Sequence, residues 1–186
     1  MVSIDVYITD YDNPEFEETC LQLPCNLAGL VSPGIQYCIE SSTTIMLSED
    51  DNLFTINKAL EEINAANPEL SLDELEALNF ALGDVPLTSK QFLETIVEGR
   101  FFIENVTEHV TDDEISYEEV AQYMLLQKKI PFCKDCPSEF TDAIINNPQM
   151  RKYVDWSELW LAYESYRFML IEHMEEYYLI MLGQEV

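Results

Sequence analysis

The balance of charge constrains this chain more than any other feature: 36 Asp and Glu stand against 9 Lys and Arg, for a formal net charge of -27. A small soluble domain ordinarily carries a net charge of roughly 2–8 in magnitude, and self-repulsion among surplus like charges opposes compaction. Any fold must therefore hold the acids outside and gain enough from burial inside to overcome their repulsion. The means are present, since 47% of the 186 residues are hydrophobic and 11% aromatic. A disordered acidic tail has few aromatics and low hydrophobicity. Nor is the charge confined to a tail: residues 1–54 carry -10, residues 55–112 carry -9 and residues 113–186 carry -8. Even coverage of a folded object differs physically from a solvating acidic block.

Several function classes lose support at once. The five glycines, Gly29, Gly34, Gly83, Gly99 and Gly183, form no phosphate-cradling loop. The two histidines, His109 and His173, sit in no nucleophile or metal motif. We expect no catalytic residue, no enzyme and no cofactor. Cys20, Cys25, Cys38, Cys133 and Cys136 are odd in number and irregular in spacing, as reduced cytosolic thiols are. Cys133-Lys134-Asp135-Cys136 is a lone C-x-x-C, whereas a zinc site needs four ligands. Asp50-Asp51-Asn52-Leu53-Phe54 lacks the glycine and ligand spacing of an EF-hand loop. No metal is expected. Nine bases cannot offset repulsion from phosphates, so nucleic acid is excluded as a partner. Met1 to Asp10 lacks a basic signal region, and the apolar stretches are too short to span a membrane. We expect a soluble cytoplasmic protein with no membrane partner.

The pattern along the chain reads as α+β. Ser3 to Thr9 alternates, with Ile4, Val6 and Ile8 on one face. Thr19 to Leu23 and part of Tyr37 to Leu47 supply two more strands, so residues 1–54 form a small antiparallel β domain. Residues 55–112 form a small helical bundle. Thr55 is expected to cap its first helix, Ser71-Leu72-Asp73-Glu74 is a capping box for the second, and Ser89 to Glu98 repeats the theme before Gly99. A short strand, Phe101 to Val106, follows. Residues 113–186 form an α+β domain. Ser116-Tyr117-Glu118-Glu119 opens one helix, Ser138 to Asn146 is a second and Tyr153 to Ser165 a third. Arg167 to Glu172 and Tyr177 to Leu182 are β-prone runs that close the chain as a hairpin.

A rigid scaffold coated with anions can compete for a groove built to bind phosphates. B-DNA carries one charge per ~1.7 Å, so 27 charges match roughly 46 Å of duplex. Carboxylates at similar spacing form charge-assisted contacts with Arg and Lys, and a preorganised array loses less entropy on binding. The expected contributors are acids on turns and helix faces. They are Asp10, Asp12, Glu15, Glu17 and Glu18 after the first strand, then Glu49, Asp50 and Asp51 before the first helix. Glu61, Glu62, Asp73, Glu76, Glu94 and Glu98 follow on the central helices, and Asp112, Asp113, Glu114, Glu118 and Glu119 enter the last domain. For Asp73, Glu118 and Glu119 a first-turn position also favours an acid through the helix dipole. Tyr117, Tyr123, Trp156, Trp160, Tyr163 and Tyr166 suit either an interface or the core of a small domain.

Certain stretches resemble a known family. Val6-Tyr7-Ile8-Thr9-Asp10-Tyr11-Asp12-Asn13 with Leu23-Pro24, then Tyr117-Glu118-Glu119-Val120-Ala121-Gln122-Tyr123, then Tyr153-Val154-Asp155-Trp156 with Leu170-Ile171-Glu172-His173 resemble, in order, segments of the ArdA-type antirestriction proteins. Thr19-Cys20-Leu21-Gln22 replaces a stretch that often carries Gly and Trp in that family. Trp160-Leu161-Ala162 stands where Gly-Arg-Asp is usual. The resemblance implies an elongated, curved, three-domain mimic of bent DNA, carried on mobile elements, that occupies the DNA groove of Type I restriction-modification enzymes. It also implies a homodimer through the last domain, which places Tyr117, Val120 and Tyr123 at the interface. The same physics would serve an inhibitor of another DNA-binding defence system, such as a CRISPR effector. An acidic adaptor for basic protein surfaces is the third expectation.

Overall fold

The computed structural model describes residues 1–10, 12–13, 15–32, 35–111, 114–128, 138–165 and 168–183. The fold is α+β and divides into two compact units, residues 1–103 with 182–186 and residues 104–181.

The first unit begins with three antiparallel strands, β1 (Ile4–Asp10), β2 (Thr19–Leu23) and β3 (Tyr37–Ser41), in the order β2-β1-β3. The expected alternation holds. Ile4, Val6 and Ile8 are buried, as are Leu21 and Leu23, while Asp5, Tyr7 and Thr9 face the other way. Helix α1 (Leu53–Ala66) supplies the opposing apolar stripe through Leu53, Ile56, Leu60 and Ile63. It starts three residues earlier than Thr55 as cap would place it. Asn52 caps instead, its Oδ1 accepting the Phe54 and Thr55 N–H, while the Thr55 hydroxyl accepts the Asn52 N–H. Thr55 is thus the third-position half of a capping box. The Ser71–Glu74 box opens α2 (Leu72–Ala81) as expected, and Ser89 caps α3 (Lys90–Val97).

No division between units falls at the expected boundary of residues 54 and 55. Polar side chains on the helices tie the strand segment down. Asn64 accepts the Val2 N–H at 2.6 Å and donates to the Val2 carbonyl at 2.8 Å. Asn57 accepts the Cys25 N–H at 2.8 Å, and buried Asn79 accepts the Met46 N–H at 3.3 Å. Backbone groups removed from water need such partners. The sheet and helices therefore share one core, rather than forming two domains.

The second unit takes up the end of β4 (Phe101–Asn105), a short hairpin of β5 (Val110–Thr111) and β6 (Glu114–Ile115), and α4 (Tyr117–Gln127). Helices α5 (Ser138–Asn146), α6 (Pro148–Arg151) and α7 (Trp156–Ser165) follow, then β7 (Phe168–His173) and β8 (Glu176–Leu182). Strand β8 lies between β4 and β7. Helix α7 begins at Trp156 and not at Tyr153, because the Asp155 carboxylate accepts the Glu158 N–H at 3.2 Å and sets the start. The core joins Val120, Ala121, Met124 and Leu125 of α4 with Leu159, Trp160 and Tyr163 of α7. Burial pushes the Tyr163 phenol well above its ordinary value. The expected closing hairpin is present, turning at Met174 and Glu175 with φ of 50° and 65°.

Candidate partner-binding surface

The acids of the β1–β2 connection are held by their own backbone. Asp10 Oδ1 accepts the Asp12 N–H at 3.0 Å, and Asn13 Oδ1 accepts the Glu15 N–H at 3.2 Å. Such turns fix a short polar segment without a helix or a strand. Asp12, Glu15, Glu17 and Glu18 are exposed and Asp10 half-buried. A second turn precedes α1. Asp51 Oδ2 accepts the Ser48 N–H at 2.7 Å and Asp51 Oδ1 accepts the Thr88 hydroxyl. Asp51 is spent on structure, and the turn it stabilises lifts Glu49 and Asp50 into solvent.

The fold brings these two turns together. Asp12, Glu49 and Asp51 line one cavity of about 680 Å³ with Gln36, Tyr37 and Ile39. A neighbouring cavity of about 390 Å³ adds Asp50, Ile35 and Phe54. Asp12 thus faces acids far along the chain, which the sequence alone does not place beside it.

The remaining candidates divide. Glu61 and Glu62 are exposed on α1, with Glu61 accepting from Asn57 at 2.9 Å and Glu62 paired with Lys58 at 3.3 Å. Asp73 is exposed, Glu94 pairs with Lys90 at 3.4 Å and Glu98 with Arg100 at 2.6 Å. In the second unit Glu118 accepts the Ser157 hydroxyl at 2.8 Å, and exposed Glu119 lines a small cavity with His109 and Tyr123. Asp112 and Asp113 lie outside the described residues, as does the side chain of Glu114.

Two site expectations need correction. Glu76 is buried, only 4% exposed, and its carboxylate accepts the Thr44 N–H at 2.8 Å. It satisfies a strand-segment donor and presents no charge to a partner. Val120 is fully buried in its own unit against α7, so it has no surface to offer a second chain. Tyr117 remains 43% exposed and stacks on Trp160 at 4.9 Å. Half-buried Tyr123 donates its hydroxyl to Glu104 at 2.6 Å and lies against His109 at 4.4 Å. That bond to Glu104 raises the Tyr123 phenol above its ordinary value, and the same carboxylate raises Lys128.

The sequence reading missed how the cations are used. The first unit holds 20 acids and three bases, the second 16 acids and six bases. All three bases of the first unit, Lys58, Lys90 and Arg100, sit beside carboxylates. In the second unit Lys128 pairs with Glu104 at 2.6 Å, Arg151 donates to the carbonyls of Ile144 and Ile145, and Lys152 lies over the Tyr153 ring. Every described base therefore has a partner inside its own unit. The signal was visible in part, since Lys58–Glu62 and Lys90–Glu94 are separated by one helical turn.

Among the described residues no group of three His, Cys, Asp or Glu converges to hold a metal, and Cys133 and Cys136 lie outside them. Cys20, Cys25 and Cys38 are free thiols. No helix among the described residues is long and apolar enough to cross a membrane. Comparison with protein-family models, with curated proteins and with solved structures gives no match.

Proposed function

We propose that this chain is an antirestriction protein that occupies the DNA-binding groove of a Type I restriction-modification enzyme in place of DNA. One observation carries the reading. Both folded units are strongly anionic, net -17 and -10 by their sequences, and four of their bases, Lys58, Lys90, Arg100 and Lys128, are paired with carboxylates of their own unit. A basic groove approaching such a surface meets far more carboxylates than bases. Arg and Lys placed for phosphates can bond those carboxylates instead. Long-range attraction between the two surfaces then speeds encounter at low salt.

The test is competition. A Type I enzyme is titrated with this protein in the presence of labelled duplex, from about 0.05 M to about 0.5 M salt, which shortens the screening length severalfold. Displacement of the duplex that weakens steeply with salt supports the reading. Inhibition that leaves DNA binding intact, or that ignores salt, contradicts it. Capture of basic protein tails without displacement of DNA would assign the chain to acidic adaptors.

A further inference from the structure

We propose that the free edge of β3 is a docking site for an extended basic peptide, which adds to the sheet as a fourth strand. The site needs no DNA mimicry and stands on other observations.

The first is backbone geometry. Strand β3 pairs with β1 alone, at the rim of the sheet. In the β1–β3 register Tyr7 faces Glu40 and Thr9 faces Cys38, and the Ser42 N–H bonds the Asp5 carbonyl. In an antiparallel ladder, hydrogen-bonded and non-bonded pairs alternate. Glu40 and Cys38 therefore turn their N–H and C=O groups toward β1, while Tyr37, Ile39 and Ser41 turn theirs outward. Among the described residues none bonds the Ile39 N–H or C=O. Such an edge is a template for another strand.

The second observation is space. Both cavities described above open between β3 and the 47–56 segment, and both are lined by Tyr37 and Ile39. Side chains of an added strand would point alternately to the two faces of the sheet, and those on the cavity side would meet Ile39, Leu53 and Phe54.

The third observation is charge, which selects the occupant. The charged residues lining the two cavities are Asp12, Glu49, Asp50 and Asp51, and exposed Glu40 stands on the opposite face of β3. A guest carrying Lys or Arg meets opposite charge on both faces, which favours cross-strand pairing. A second copy of this chain would set Glu40 against another acid-rich edge, which disfavours it.

A fluorescent, end-capped heptapeptide alternating lysine and valine is the probe, titrated against the full chain by anisotropy. Two further peptides carry N-methyl groups, one at every lysine and the other at every valine. Each loses the donors along one edge only. Strand addition uses one edge, so one methylated peptide should lose at least about tenfold in affinity while the other holds within about threefold, since each lost bond is worth a few-fold. The E49Q/D50N variant should bind the parent peptide about threefold to tenfold more weakly, as two rim charges are removed. Amide shifts on binding should centre on Ile39 and Ser41. Equal binding by all three peptides, absence of binding by the parent, or shifts centred elsewhere would overturn the proposal. So would dimers of the free chain joined through β3. None of these results bears on displacement of DNA, so the two proposals fail separately.

Discussion

The two units carry similar acidity but treat their few bases differently. In the first unit Lys58 and Lys90 pair one helical turn away with side chains that are 76% and 86% exposed. Pairs of that kind contribute little to stability. In the second unit Lys128 is only 35% exposed and shares Glu104, 19% exposed, with the Tyr123 hydroxyl. Arg151 closes the carbonyl end of α5. The bases of the first unit trim its surface charge, while Lys128 and Arg151 of the second hold structure in place. Polar work inside the first unit falls to uncharged Asn57, Asn64 and Asn79 and to two acids, Asp51 and Glu76. Exposed acids such as Asp12, Glu17, Glu49 and Asp50 are thereby left at the surface, which is the condition for an acidic surface to be spent on a partner.

The largest effect belongs to the core of the second unit. Val120→Asp should cost about 3–5 kcal/mol by burying an uncompensated charge, read by urea unfolding. A well-folded monomer with unchanged midpoint would return Val120 to an interface. Next comes the buried acid of the first unit. Glu76→Ala strands the Thr44 N–H and should cost about 1–3 kcal/mol, with Glu76→Gln milder. An unchanged midpoint for Glu76→Ala would put that carboxylate back among the surface charges. A gain is expected at the β7–β8 turn, where two residues other than glycine adopt positive φ. Glu175→Gly should stabilise the chain by about 1 kcal/mol. The smallest effect separates the cations. Lys58→Ala should cost about 0.3–0.5 kcal/mol, as isolated helix pairs do.

Alkaline pH sharpens the same contrast. Lys128, Tyr123 and Tyr163 are all raised above their ordinary values in the fold. Stability from a raised group is complete below its unfolded pKa and is lost as pH climbs through the folded one. These contributions therefore hold at neutral pH and fade above about pH 10. Thermal unfolding followed between pH 8 and 11 should show the second unit, where all three groups lie, weakening in that window. A Tm flat to pH 11 would remove these groups from the balance.

Much of the local structure was legible because it follows from short-range rules. The alternation of Ile4, Val6 and Ile8 and the Ser71–Glu74 box each need only a few neighbouring residues, and both are found. Glu76 was misread because an acid on a helix is ordinarily solvated. Yet Leu72, Leu75 and Asn79 share its stripe at helical spacing, and Asn57 and Asn64 likewise lie on the buried stripe of α1 with Leu53 and Leu60. Polar residues on an apolar stripe signal tertiary hydrogen bonds, and three Asn and one Glu kept that signal here. The approach of Asp12 to Glu49 and Asp51 depends on how β1, β3 and the 48–51 turn pack, which no local pattern encodes. For the same reason the sequence suggested a boundary where α1 and the sheet share a core.

The most direct test of the anionic surface is to remove its charge and keep its shape. Asp12→Asn, Glu17→Gln, Glu49→Gln and Asp50→Asn together neutralise four side chains that are exposed in the fold and should leave the unfolding midpoint nearly unchanged. Displacement of duplex from a Type I enzyme is then measured at low salt for the parent and the variant. The expected result is at least about a tenfold loss of displacement by the variant, with a shallower dependence on salt. Equal displacement by a variant of equal stability would contradict a partner that reads these carboxylates.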